Sequence, residues 1–289
     1  MLGLFAQAFI FGILMGCLYG LMALGLALIY GVMKVINLAH GQFFTLSGFI
    51  AFTLLTALKI DPLISLAILI PLFFAIGAVI QRVLINPVIP YARGRETLII
   101  TMGLGLIMEN IVLMIWGPDF RAIITWYSAI NVPLGVTSVG LVRIAAAAIA
   151  IAASLLTYVI LVRTKIGMAM RACAQDREAA MLMGVDFNKI TTLTFGVSAA
   201  TAAITGPFMG MLFSLYPAVG GLYTLKSYCI VVLGGLENPV GAIVGGLIFG
   251  VVESIASIFL PAGYKNAIAF GVFVLTLLLK PSGLLGRAR

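Results

Sequence analysis

Long apolar runs separated by short polar connections dominate the sequence. The runs cover about 6–33, 38–58, 62–85, 97–116, 141–162, 190–214, 223–236, 240–260 and 263–280. Most of them are long enough to cross a bilayer as an α-helix, which needs about 20 residues. The run at 223–236 is too short to cross straight through, so it is either a broken or a re-entrant helix, and eight full spans compete with nine segments. The pattern predicts an all-α, polytopic membrane protein with a single domain over residues 1–289.

The composition agrees with this pattern. Of the 289 residues 63% are hydrophobic and only 9% are charged, whereas a soluble domain has about a quarter of its residues charged. The net charge is +8, but no stretch outside the apolar runs concentrates Lys, Arg and aromatic residues, so nucleic acid is not an expected partner. Cys17, Cys173 and Cys229 have no paired spacing, and one histidine cannot complete a metal site or a catalytic pair. We expect no metal, no cofactor and no enzymatic activity.

The basic residues predict the orientation in the membrane. With the N-terminus outside, twelve of the 17 Lys and Arg residues fall on the inner side, where positive charge is favoured. The outer side then holds Lys59, Arg121, Arg143, Lys226 and Lys265, and Lys226 is interpreted as marking the membrane edge. We therefore expect a multi-pass protein with its N-terminus outside and its C-terminus in the cytoplasm.

Glycines recur at four-residue spacing in the first run and in the run at 240–260. They are Gly12, Gly16 and Gly20, then the pairs Gly241/Gly245 and Gly246/Gly250. Residues at this spacing share one helix face, and the lack of a side chain lets another backbone approach closely. The spacing predicts tight helix packing and is uninformative about a ligand.

Five polar residues within or beside the apolar runs are candidates for a translocation path: Asn37, His40, Glu109, Asn110 and Glu253. Asn37 and His40 stand at the inner end of the second run. They are either a polar break lining the path or a simple connection with Asn37 as a helix N-cap. Glu109 and Glu253 each lie about seven residues before the outer end of their run. An ionisable group at that depth is either functional or hydrogen-bonded to a neighbouring helix.

The stretch "RACAQDREAAMLMGVD" is unusually charged for this chain. Asp176 can cap a short helix, Gly184 suits the position that ends it, and Asp186 can cap the next run. The mixed charges and the alanine-rich side favour docking in a groove of a soluble protein over lying on lipid headgroups. The residues expected at this contact are Arg171, Asp176, Arg177, Glu178, Ala179, Ala180 and Gly184.

Four stretches resemble a known family. "EAAMLMG" resembles the EAA-x-x-x-G signature in the cytoplasmic loop of binding-protein-dependent ABC importer permeases, without the later Ile-x-Leu-Pro part. "YGLMALGLALIYGVMKVINLAHGQF", "LIITMGLGLIMENIVLMIWGPD" and "VVLGGLENPVGAIVGGLIFGVVES" are similar in order and spacing to LivH-type permeases of branched-chain amino acid importers.

The resemblance implies a bacterial inner-membrane permease that pairs with a second related permease, two cytoplasmic ATPases and an extracytoplasmic binding protein. It implies a fold similar to cobalamin-type importer permeases, with two inverted halves, and a coupling helix at "EAAMLMG" seated in an ATPase groove. The family also includes members for urea, short amides and other amino acids, so the substrate stays open. The chain has no G-x-x-x-x-G-K-[ST] loop, and ATP hydrolysis is therefore expected in a partner. The alternative is a stand-alone secondary transporter or channel, which would need an ionisable relay at the membrane midplane.

Overall fold

The computed structural model describes residues 2–89, 95–134, 137–261, 264–280 and 282–286. The helices within these ranges are α1 (Leu2–Met33), α2 (His40–Leu58), α3 (Pro62–Ile80), α4 (Arg95–Trp116), α5 (Leu141–Arg163), α6 (Lys165–Gln175), α7 (Arg177–Leu182), α8 (Phe187–Leu212), α9 (Val219–Gly234), α10 (Pro239–Phe259) and α11 (Lys265–Leu279). A π-helical turn at Gln81–Ile85 extends α3, and a 3₁₀ turn lies at Trp126–Ala129.

Seven of the described helices are long and apolar enough to cross a membrane: α1, α2, α3 with its π turn, α4, α5, α8 and α10. Shorter apolar helices lie at Val219–Gly234 and Phe270–Leu279. The predicted polytopic helical architecture is therefore present in the described part of the chain.

Helices α1 and α8 form the centre of the bundle. α1 packs against α10, α8 and α5, and α8 packs against α2 and α3. The outer helices α3, α4 and α5 instead expose large apolar side chains such as Ile68, Met114 and Leu155. An apolar outer surface of this kind suits a bilayer and would be unfavourable in water.

The glycine spacing has a direct geometric counterpart between α1 and α10. A Cβ added at Gly12 would stand 2.6 Å from Val251 Cα, and one at Gly250 would stand 2.6 Å from Gly16 Cα. Gly20 and Gly246 meet further along the same contact, while Gly241 and Gly245 face α9 at Gly234 and Ile230. The α10 glycines therefore divide between two neighbours, with one pair against α1 and the other against α9.

Helix starts follow local sequence chemistry. Asp61 accepts a hydrogen bond from the Leu63 amide at the start of α3, and Asn238 accepts from the Val240 and Gly241 amides at the start of α10. Each cap is followed by a proline, whose missing N–H costs nothing in a first helical turn.

The structure departs from the sequence predictions in two places. A small antiparallel hairpin of β1 (Asn131–Leu134) and β2 (Thr137–Gly140) lies in the connection between α4 and α5, where the all-α prediction had no strand. The stretch "SLYPAVGGLYT" predicts a helix interruption at Pro217, Gly220 and Gly221; the break lies at 213–218 and includes Pro217, but Gly220 and Gly221 lie inside the first turns of α9. Of the basic residues in the orientation count, Arg93, Arg287 and Arg289 lie outside the described residues.

Candidate functional site

Helix α2 begins inside the bundle. His40 Nε2 donates a hydrogen bond to the Met22 carbonyl over 2.9 Å. Met22 lies eleven residues before the end of α1, which corresponds to about 16 Å along the helix. The non-helical segment 34–39 therefore runs back along α1 before α2 starts, so His40 lies deeper than the inner membrane edge that the sequence predicted.

Asn37 sits within this returning segment and is fully buried. Its Oδ1 accepts from the Ala39 amide over 3.1 Å, and its carbonyl accepts from the His40 amide over 3.3 Å. The N-cap of α2 is Ala39. Asn37 thus stabilises the turn that leads into α2 and is not the predicted N-cap itself.

Helix α9 also begins inside the bundle, but it is reached from the opposite direction. Leu215 packs opposite Gly48, and Gly220 packs opposite Gln42. Six residues of α2 separate Gly48 from Gln42, so the segment leading into α9 descends about 9 Å along α2. The Gly41 amide then donates to Thr224 Oγ1 over 2.8 Å.

The first turns of α2 (40–42) and α9 (220–224) lie side by side, and we call this contact the α2–α9 crossing. Gln42 extends it toward α4, because its Nε2 donates to Glu109 Oε2 over 3.1 Å. Among the predicted path residues, Asn37, His40 and Glu109 gather around this crossing. Asn110 does not, since it is exposed and donates within α4 to the Leu106 carbonyl.

Glu253 belongs to a second polar cluster, in which Lys226 Nζ donates to Glu253 Oε1 over 2.8 Å. Lys226 is 3% exposed and Glu253 is 6% exposed. The interpretation of Lys226 as an outer edge marker is therefore wrong, because it lies seven residues into α9 and pairs with Glu253 of α10. Four basic residues then remain in the set predicted for the outer side. The two glutamates that seemed equivalent in the sequence have different partners.

A cavity of about 150 Å³ adjoins this ion pair. It extends from the exposed residues Phe213 and Ser214 to the buried pair. The lining residues are Tyr19, Phe213, Ser214, Tyr216, Val219, Leu222, Tyr223, Lys226 and Glu253. The Lys226 ammonium lies 5.2 Å from the Tyr19 ring centroid and 5.3 Å from that of Tyr223, within the range of a cation–π contact.

The connections between α2 and α3, between α4 and α5 and between α8 and α9 join into one surface beside this cavity. Arg121 and Leu215 exchange two backbone hydrogen bonds of 2.8 and 2.7 Å, and the Phe120 and Tyr216 rings pack 5.1 Å apart. The Tyr127 hydroxyl donates to Asp61 over 3.0 Å. Burial and this hydrogen bond raise the pKa of Tyr127 to about 12, so the hydroxyl keeps its proton at neutral pH and the link persists.

The charged stretch forms two short helices instead of the single one predicted. α6 ends at Gln175, and Asp176 caps α7 by accepting from the Ala179 amide over 3.0 Å. Gly184 has a φ of +84°, the left-handed conformation that suits glycine at a helix end. Asp186 then caps α8 by accepting from the Lys189 amide.

The surface of this stretch differs from the predicted alanine-rich side. Ala180 is buried in its own chain, whereas Leu182 and Met183 are 88% and 85% exposed. Arg177 stacks over the Phe187 ring at 4.0 Å. Of the predicted contact residues, Arg171, Asp176, Glu178, Ala179 and Gly184 are exposed. The apolar tip available to a partner is therefore formed by 181–183.

Comparison with known proteins identifies the family. The family model described as the permease component of the branched-chain amino acid transport system matches residues 8–277. The chain belongs to this permease family. Permeases of this kind are non-catalytic membrane subunits of ABC importers, which work with separate ATPase subunits and a substrate-binding protein. The chain is therefore a multi-pass membrane permease.

Individual relatives extend over nearly the whole permease. It is 33% identical to the high-affinity branched-chain amino acid transport system permease protein BraD of Pseudomonas aeruginosa, over 98% of this chain and 96% of that protein. It is 30% identical to LivH of Escherichia coli with the same coverage. The ribose import permease protein RbsC of Escherichia coli is 25% identical, over 88% of this chain and 79% of that protein. No solved structure matches the permease significantly.

The sequence reasoning missed several residues at these two clusters. Lys226 was set aside, and Tyr19, Gln42, Tyr223 and Thr224 were not singled out. One signal was present: an acidic residue within an apolar run, here Glu253, calls for a base at similar depth in another run, and Lys226 supplies it. The remaining four depend on which helices are neighbours, which apolar patterning does not determine.

Proposed function

We propose that the permease moves a branched-chain amino acid (Leu, Ile or Val) inward across the bacterial inner membrane, driven by two cytoplasmic ATPases. The observation that carries this proposal is the match, over nearly the full length, to relatives whose names specify that class of solute. A second related permease completes the translocation path, and the binding protein delivers the solute at the outer surface near 117–140 and 215–225. Family membership favours this function over a stand-alone transporter or channel.

The α6–α7 stretch is the proposed coupling element to an ATPase. Its support is the exposed apolar tip at 181–183 surrounded by Arg171, Asp176 and Glu178. An apolar centre with a charged rim is a common arrangement for a docking helix. Arg177, Ala179 and Ala180 contribute to the form of α7, and Gly184 lets the chain turn sharply into α8.

The proposed translocation path passes the α2–α9 crossing and the Lys226–Glu253 cluster. Asn37, His40 and Glu109 lie at the α2–α9 crossing, and Glu253 belongs to the Lys226–Glu253 cluster. Asn110 is exposed on α4, where we place the contact with the second permease. Polar side chains and interrupted backbone within a membrane protein are tolerated chiefly where they line a cavity or pack in protein. Both clusters place buried polar side chains beside an interrupted backbone segment.

The proposed topology has nine crossings, with the N-terminus outside and the C-terminus in the cytoplasm. The segment 213–218 and α9 together make the seventh crossing. Two inverted halves, similar to cobalamin-type permeases, are supported by the two interrupted helices. The segment before α2 enters the bundle from the cytoplasmic side, and the segment before α9 enters it from the outer side.

Transport tests the function directly. Right-side-out vesicles or proteoliposomes that enclose ATP, with and without the cognate ATPase, are compared for uptake of radiolabelled leucine supplied with the binding protein, with vanadate as inhibitor. We expect uptake only with ATPase and ATP, and loss of uptake with vanadate. Leucine uptake driven by an ion gradient in the absence of ATPase would overturn the importer function.

Docking is tested by ATPase co-purification. Glu178→Lys combined with Leu182→Asp should reduce recovery of the ATPase by about tenfold or more, since the apolar side chain that would be buried in the ATPase groove becomes charged. Gly184→Val should act in the same direction by straining the turn after α7. Asp119→Asn, on the exposed outer connection, is the matched control. Full ATPase recovery with both variants would refute the coupling role.

A further inference from the structure

We propose that the cavity beside Lys226 and Glu253 is a binding site for the zwitterionic head of an α-amino acid. The ammonium group of the solute takes a place against Glu253, and its carboxylate takes a place beside Lys226. This inference rests on the proposed transport function and adds a recognition site to it. The site lies in the membrane domain itself and is separate from whatever the binding protein recognises.

The charge arrangement is the first support. The pair offers one cationic donor and one anionic acceptor 2.8 Å apart, and both side chains line the same cavity. An α-amino acid carries an ammonium and a carboxylate on one carbon, so its two charges are similarly close. Such a solute can exchange partners with the pair without leaving an unpaired charge, whereas a solute with only one charge cannot.

The burial of the pair is the second support. An ion pair removed from water gains little net stability, and well-packed apolar residues often hold two helices as well or better. Lys226 and Glu253 are nonetheless almost fully buried between α9 and α10. A purely structural link would not require an adjoining cavity that runs toward the exposed residues Phe213 and Ser214.

The aromatic walls are the third support. The rings of Tyr19 and Tyr223 flank the Lys226 ammonium, and the same faces attract the ammonium of a solute. Val219 and Leu222 add an apolar wall at the start of α9, where the side chain of a hydrophobic amino acid would pack. The cavity therefore combines groups for both charges with an apolar surface.

The first experiment uses the assembled importer in proteoliposomes, with ATPases, second permease and binding protein. Leucine transported per ATP hydrolysed is measured for the neutral pair Lys226→Met/Glu253→Gln and for the reversed pair Lys226→Glu/Glu253→Lys. We expect a fall of about tenfold or more in both, the effect of one lost hydrogen bond to a charged group. The reversed pair should keep wild-type thermal stability, because the link between α9 and α10 is restored. Lys34→Met/Glu237→Gln, which removes the half-exposed ion pair at the other end of α9, is the matched control.

The second experiment needs no variant. Wild-type importer is photolabelled with the diazirine analogue of L-leucine, and the labelled residues are located by mass spectrometry. We expect label on Tyr216 or Leu222, removed by excess leucine but not by 4-methylpentanoate or 3-methylbutylamine, which each carry one of the two charges.

These outcomes distinguish a failure of the proposed binding site from a failure of the proposed transport function. Wild-type coupling in the reversed pair, or labelling confined to other parts of the chain, would overturn the site while ATP-driven uptake still stands. If the wild-type importer moves no leucine, isoleucine or valine with ATP, the proposed function itself fails.

Discussion

At the scale of single residues, the contact between α1 and α10 depends on the absence of side chains. A methyl group at Gly250 would meet the backbone of Gly16, and backbone cannot move aside as a flexible side chain can. Gly250→Ala should therefore force α1 and α10 apart and lower the free energy of unfolding by about 1–3 kcal/mol. Thermal unfolding of the purified permease measures the effect.

The matched control is Gly271→Ala in α11. No described atom lies within 4 Å of a Cβ at that position, so the melting temperature should stay unchanged or rise slightly, as expected for alanine in a helix. Equal melting temperatures for the two variants would contradict the close-packing role of Gly250.

Local chemistry explains which residues were predictable. The caps at Asp176 and Asp186 and the turn at Gly184 involve neighbours within a few positions, so the sequence alone predicted them. The partner of Glu253 is Lys226, which lies 27 positions away on another helix. A lysine near the start of a short apolar run is equally compatible with a membrane edge, and only helix packing decides between the two.

At the scale of elements, the α2–α9 crossing joins two helices through one hydroxyl. Thr224 Oγ1 accepts from the Gly41 amide, whose position in the first turn of α2 leaves it without an intrahelical partner. Thr224→Val keeps the shape but leaves this buried amide unsatisfied. The free energy of unfolding should fall by about 1–3 kcal/mol, as measured by thermal unfolding.

Thr157→Val in α5 is the control for this change. The Thr157 hydroxyl donates to the Ala153 carbonyl in its own helix, so its loss should have little effect on packing between helices. If Thr157→Val lost as much stability as Thr224→Val, the hydrogen bond across the α2–α9 crossing would not explain the effect of Thr224→Val.

Element boundaries were predictable where apolar runs are uniform and less so where they are not. The long runs became α1, α3, α5 and α10 at nearly the expected positions. The paired strands at 131–134 and 137–140 were missed because each has only four residues, too few for an alternating pattern to stand out. The break at 213–218 includes Pro217, as predicted, but not Gly220 and Gly221, because the first turn of a helix tolerates glycine and Gln42 packs against Gly220 there.

At the scale of the whole molecule, the number of crossings depends on α9. Ser214→Cys and Glu237→Cys place accessible thiols before and after this helix, while the native cysteines are buried. A membrane-impermeant maleimide should label Ser214→Cys in intact spheroplasts and Glu237→Cys only after permeabilisation. Labelling of both from the same side would mean that α9 re-enters instead of crossing.

The contact between α1 and α10 also determines how late in synthesis the helix bundle can finish folding. Gly16 and Gly246 are close neighbours but are separated by 230 positions in the chain. At about 5–20 residues per second, α1 leaves the ribosome roughly 10–50 seconds before its main partner exists. Throughout that interval the glycine face of α1 can contact lipid, the insertion machinery or an earlier helix of the chain, but not α10. A chain arrested before α10 should accordingly be a substrate for membrane quality control, even though all its earlier spans are already in place.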